Sequence, residues 1–180
     1  MLSFAGMRYA SGEIRADRAR AAWEQGEARR TVALARTAAE RPVREGRIPL
    51  GVPVARVIAP KIRLDAIVLE GVDDDELDAA PGHVPGTAIP GEHGNAVISA
   101  HRDRHFNRLG SLAVGDTLVT ESDAGQVHWV IVSRRIIEKS TAALFRTSTP
   151  TLTLTTCWPM RYIGSAPERL IVTAKPIGAE

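Results

Sequence analysis

The sequence predicts a mainly β fold, a closed or nearly closed barrel or a two-sheet sandwich, preceded by a separate helical segment. Three observations carry this. From Ile48 onward the apolar residues recur with period two in stretches rich in Val, Ile and Thr. Those stretches are separated by Gly, Pro and Asp turns, and seven of them fit into about 125 residues. Short strands at such spacing bury their apolar faces only by closing on themselves or stacking face to face.

The elements follow in order. Between Glu13 and Arg41, 20 of 29 residues are Ala, Glu or Arg, strong helix formers that lose little side-chain freedom in a helix. Ile14, Trp23, Val32 and Leu34 make no continuous apolar stripe, so residues 1–47 read as a solvated or loosely docked helical segment outside the main domain, ended by Pro42 and Gly46. The β domain spans 48–180. Its strands are expected at 52–60, 62–70, 95–101, 116–122, 126–138, 151–157 and 169–175. Helical signals are confined to 74–80, where Asp73 to Glu76 suit a capped helix start, to HFNRLGSL at 105–112, and to TAALF at 141–145. Residues 81–95 hold three prolines and four glycines and read as a shaped loop. No internal repeat is present.

Composition narrows the function classes. The 180 residues are 44% hydrophobic and 24% charged, a balance for a soluble globular domain. No apolar run reaches the roughly 18 to 20 residues that span a bilayer. A single cysteine, Cys157, rules out an internal disulfide and a cysteine-rich zinc site. The net charge of +2 is uneven: residues 1–47 carry 10 basic and 6 acidic side chains, residues 48–180 carry 13 and 15. The basic excess therefore belongs to the helical segment, where interleaved acids make a solvated Arg/Glu face, and no nucleic-acid partner is expected. His83, His93, His101 and His105 are spaced 10, 8 and 4 apart, which matches no standard zinc template, so neither metal nor cofactor is expected.

Strand parity picks out three chemical groups. In TLTLTTC, Leu152 and Leu154 take one face, and Cys157 falls on the other with Thr153 and Thr155. In RLIVTAK the apolar parity is Leu170, Val172 and Ala174, which leaves Arg169 opposite. Antiparallel pairing of these strands would put Cys157 and Arg169 at one end of one face. In NAVISAH, His101 closes its strand on the face of Asn95, Val97 and Ser99. Each has a plainer use: a buried filler for Cys157, a hydrogen-bonded strand end for His101, a surface ion pair for Arg169. Together they suit attack on an amide carbonyl. An ordinary thiol, with a pKa of about 8.5, is only a few per cent thiolate at neutral pH and gains from a neighbouring His or Arg. A cation aimed at a developing oxyanion is worth about 3 to 4 kcal/mol of barrier.

The local motifs go further. Thr153-Leu154-Thr155-Thr156-Cys157 gives a TLxTC block, Ala100 to Asp103 reads AHRD, and RLIVTA begins at Arg169. Over roughly residues 50–177 the chain resembles the sortase family of transpeptidases. CWPMRYIGSAPER (157–169) and the loop around Gly82-His83 and Pro85 to Ala88 are most similar to its class D branch. The resemblance implies an eight-stranded sortase-type barrel with Cys157 as nucleophile, His101 as general acid and base, and Arg169 stabilising the oxyanion or substrate. It implies no cofactor. The substrate would be an LPxTG-like sorting signal of a surface protein, whose threonine is held as a thioacyl intermediate. An amine of a cell-wall precursor or a pilin lysine would resolve it. Substrate contacts are expected at Thr156, at Ala100 and in the loop 139–149, which contains Leu144.

Asp103 has two readings, as the partner that orients His101 or as an ion-pair partner of Arg102 or Arg104. An extracytoplasmic place in the cell envelope is implied, with residues 1–47 as a juxtamembrane stalk behind an N-terminal anchor of which only MLSFAG remains, or else with no anchor at all. Two other functions are compatible: a cysteine hydrolase on the same barrel, and a peptide-binding module whose groove residues 1–47 block.

Overall fold

The structure, a computed structural model, describes residues 4–26, 48–139, 147–162 and 164–178. Eight strands form a closed barrel: β1 (Pro53–Ala59), β2 (Leu64–Glu70), β3 (Gly82–His83), β4 (Asn95–Ser99), β5 (Thr117–Ser122), β6 (Gly125–Glu138), β7 (Thr151–Trp158) and β8 (Glu168–Pro176). Around the barrel they run β1-β2-β3-β4-β7-β8-β6-β5, and β5 pairs back onto β1. Closure leaves no free sheet edge, which settles the barrel-or-sandwich alternative. Seven of the strands lie where the period-two pattern put them. The eighth, β3, lies inside the Pro/Gly loop and is two residues long, too short to show a period. Its Gly82 is dictated by space: a Cβ there would stand 2.1 Å from the Gly71 carbonyl oxygen.

Among the described residues two α-helices accompany the barrel, α1 (Phe4–Glu24) and the short α2 (Asp74–Ala79). The HFNRLGSL stretch forms turns and a 3-10 segment at Leu109–Ser111. The expected helix at 141–145 lies outside the described residues, as does the part of the expected helix at 27–41. Within the described part α1 stops at Glu24, where Gly26 takes a left-handed φ of 73°. That conformation suits a glycine just past a helix end.

The barrel interior is packed by Trp129, Phe106, Leu109, Leu118, Leu152, Leu154 and Leu170, among others, all buried. Trp129 satisfies its ring N–H by donating to Thr120 Oγ1 at 2.8 Å, as a buried indole requires. A second cluster joins Ala19 and Trp23 of α1 to Ile67, Leu69, Ala79 and Ala80. The helix is thus seated against β2 and α2 by Trp23 together with small residues. Gly12 touches α2 so closely that a Cβ would lie 2.6 Å from the Asp78 carbonyl oxygen. A search for large apolar residues at helical spacing overlooks such a seam. Ion pairs at its edge, Arg15 to Asp75 and to the buried Glu76 and Arg20 to Asp65, span 3.8 to 3.9 Å; the exposed Arg15–Asp75 and Arg20–Asp65 pairs add little.

Candidate active site

The site is an end of a sheet face. β7 and β8 are antiparallel with Cys157 directly opposite Arg169, as parity and the turn between them suggested. The Arg169 Nη1 donates to Cys157 Sγ, and both side chains are partly exposed. β4 runs parallel to β7, with Asn95 opposite Thr151 and Ser99 opposite Thr155. Parallel pairing is what brings the two C-terminal ends to one place. The Ala100 N–H still donates to Thr155 O at 3.2 Å, so His101 follows the last ladder bond at the level of Cys157. His101, Cys157 and Arg169 line one cavity of about 390 Å³, whose walls include Ser99, Thr155 and Lys139.

The substrate residues divide. Ala100 lines the cavity. The Thr156 side chain does not: it is fully buried on the Leu152/Leu154 face and donates its hydroxyl to Ala100 O at 2.7 Å. Its own strand parity carries it there. Thr156 thus holds the backbone just before His101 and does not meet a ligand through its side chain. Leu144 lies outside the described residues.

The carboxylate facing His101 is Asp78 of α2, with Oδ1 3.8 Å from Nε2. Arg104 shares Asp78, reaching its carbonyl with Nη1 and its carboxylate at 3.8 Å with Nη2. Asp103 is exposed and makes no ion pair with His101, Arg102 or Arg104 among the described residues. Neither reading of Asp103 therefore holds. Asp78 gave no sign in the sequence, because it is brought to His101 by the docking of α2 and not by spacing. Four residues after His101, burial pushes the His105 imidazole below its ordinary value, helped by the positive charge of Arg104 and by His101.

His83 is a different object. It is buried beside the groove, its Nδ1 2.5 Å from Glu70 Oε2 and its Nε2 2.9 Å from both Ala88 O and Thr87 Oγ1. Thr87 in turn donates to Val84 O and accepts from Val97 N–H. These bonds shape the loop 84–88 beside the groove. Among the described residues no group of three or more His, Cys, Asp or Glu side chains is placed to hold a metal ion. None of the described residues of α1 lines the cavity that holds Cys157, so that part of the N-terminal segment does not block it. No helix among the described residues is long and apolar enough to cross a membrane.

Comparison with known proteins agrees with the geometry. Residues 57–177 match the model of the sortase domain. Sortase D of Bacillus subtilis (strain 168) is 36% identical over 120 residues, which make up 66% of this chain and 61% of that protein, so the chain matches only about three-fifths of this relative. The catalytic domain of B. anthracis SrtD superposes with a TM-score of 0.59 at 37% identity, over 70% of this chain and 88% of that one. A Clostridium perfringens sortase D5 transpeptidase shares the fold, with a TM-score of 0.72 at 24% identity over 94% of this chain and 99% of that one. A barrel closed in this order, a cysteine and an arginine paired across β7 and β8 with a histidine at their level, and a family model covering 57–177 agree: the chain belongs to the sortase family.

Proposed function

We propose that the chain is a cysteine transpeptidase of the cell envelope, acting on an LPxTG-like sorting signal of surface proteins or pilins. The observation that carries this is the Cys157–Arg169 contact with His101 on the wall of the same cavity. His101 takes the thiol proton as Cys157 Sγ attacks the carbonyl carbon of the threonine. Arg169 stands where negative charge gathers, first on sulfur and then on the carbonyl oxygen. When the intermediate collapses the C–N bond breaks, and His101 hands its proton to the departing amine. The threonine is left as a thioester on Cys157. An amine, from a cell-wall precursor or a pilin lysine, attacks that thioester and gives a proton to His101. The thiolate leaves and recovers the proton, closing the cycle. Ser99 and Thr155, half-buried beside the three side chains, offer hydroxyls to an extended peptide.

The test is incubation with LPxTG-, LPxTA- and LAxTG-type peptides, followed by intact-mass measurement. An adduct on Cys157 with the mass of the peptide up to its threonine, absent from Cys157→Ala and released as a new amide by added amine, is the expected result. Folded protein with a free thiol and no adduct from any of the three overturns the proposal. Release by water alone, unchanged by amine, would make the chain a hydrolase.

A further inference from the structure

Arg102 follows the catalytic histidine in sequence, yet its side chain turns away from the cavity. Its Nη2 donates to Tyr162 O at 2.7 Å and to Gly164 O at 2.9 Å, its Nη1 donates to Pro159 O at 3.3 Å, and its guanidinium lies 5.8 Å from the centre of the Tyr162 ring. All three carbonyls belong to the return between β7 and β8, whose two ends carry Cys157 and Arg169. One side chain beside His101 thus grips the loop that joins the other two members of the site.

The strands show why such a grip is needed. Cys157 and Arg169 are fixed to each other by their own antiparallel ladder. His101 is not: the β4–β7 ladder ends with Ser99, and the Ala100 N–H makes the last bond. Past that point, among the hydrogen bonds of the described residues, the Thr156 hydroxyl on Ala100 O and the fork of Arg102 tie this segment to the β7–β8 side. A planar guanidinium with five donors reaches three carbonyls at once; an ammonium, a compact point charge, does not reproduce that fork. A misplacement of about 1 Å costs an acyl transfer on the order of 100-fold.

We infer that Arg102 is a positioning residue, which sets the distance from His101 to the Cys157–Arg169 pair by clamping the β7–β8 return to the strand end that bears the histidine. This rests on the proposed reaction for its kinetic consequences, but its structural content is independent of it.

The experiment compares Arg102→Ala and Arg102→Lys with the parent chain in two measurements. In the first, acylation of Cys157 by the peptide should fall roughly 10- to 100-fold in both variants, mostly in kcat with KM within about threefold. Alkylation of Cys157 by iodoacetamide, which does not need His101 in register, should stay within about twofold. Parent-like acylation in either folded variant, or losses in kcat, KM and alkylation together, would show that Arg102 serves only the loop. In the second, the ring resonances of His101 should shift or broaden in the Arg102 variants while those of His83 stay put. Unmoved His101 resonances overturn the inference even where the parent chain acylates with none of the peptides, an outcome that would instead remove the proposed function. The lysine variant keeps the test open if the alanine variant fails to fold.

Discussion

His83, on β3 beside β4, and His101, just past the C-terminal end of β4, each face a carboxylate, and they show what separates a buried histidine from an accessible one. His83 is 1% exposed and Glu70 3%. The ring nitrogens of His83 meet three acceptor oxygens at 2.5 to 2.9 Å, so neither has a free direction in which to pass a proton. His101 is 32% exposed, and the nearest carboxylate oxygen, on Asp78, stands at 3.8 Å. Its ring borders open space shared with Cys157 and Arg169. Packing has tied one imidazole down and left the other open to the cavity.

The sharpest way to break this contrast is to exchange what each histidine does. His101→Gln should cost the acylation of Cys157 about 100- to 10,000-fold, the range for a lost general acid and base, and shift the melting temperature by no more than a few degrees. Cys157→Ala should abolish the adduct. Single-turnover kinetics beside a thermal melt read both, and a His101→Gln chain that acylates at the parent rate would remove His101 from the site. His83→Ala should behave in the reverse sense. It strands Glu70 in the interior, a loss of about 3 to 5 kcal/mol when one member of a buried pair is removed. In a domain of this size that lowers the melting temperature by about 10 °C or more, while the molecules still folded keep a parent-like kcat. Partial recovery in His83→Ala/Glu70→Leu would show that the stranded carboxylate, and not the lost ring, carries the cost.

How far the sequence disclosed these two sites follows from the kind of contact in each. Period two exposed seven strands, and parity placed Cys157 and Arg169 on one face because adjacent strands of an antiparallel pair share that periodicity. The same parity carries Thr156 into the core with Leu152 and Leu154, so its expected substrate contact runs against its own strand. Parity is silent on which non-neighbouring strands pair, so the parallel β4–β7 ladder that sets His101 beside Cys157 was not legible. Asp78 and Arg102 were hidden for a related reason: both act through contacts between segments that only the closed barrel brings together. The seating of α1 escaped because one large residue, Trp23, with Gly12 and Ala19 makes no continuous hydrophobic stripe.

That seating offers a gentler perturbation of the surroundings of His101. A Cβ at Gly12 would meet the Asp78 carbonyl at 2.6 Å and Arg104 Nη1 at 3.2 Å, and the backbone oxygen has little room to yield. Gly12→Val should therefore loosen α1 from α2, with a stability loss of about 1 to 3 kcal/mol, the range for overpacking a tight contact. Amide exchange should quicken across α1 and α2 and leave β7 and β8 unchanged. Parent-like protection in α1 would mean that the helix is not seated through this contact.

The smallest effect expected belongs to a third histidine, which lies between the other two in character. His105 is buried enough to hold its imidazole below the ordinary value, yet its Nδ1 has no hydrogen-bond partner among the described residues and it owns no carboxylate. The folded chain therefore takes up this proton at a lower pH than the unfolded chain, whose histidine titrates near 6.5. Between the two values the unfolded state binds more protons, so stability rises with pH across that window. The contribution is fully present above the unfolded value and is lost as pH falls through the folded one. Removing the titrating ring with His105→Leu should flatten this part of the acid-side decline in urea midpoints, and ring NMR should place the His105 midpoint below 6.5. A midpoint at or above 6.5 would mean that a partner satisfies the ring as Glu70 satisfies His83, and the division of these histidines into bound, available and merely buried would lose its third member.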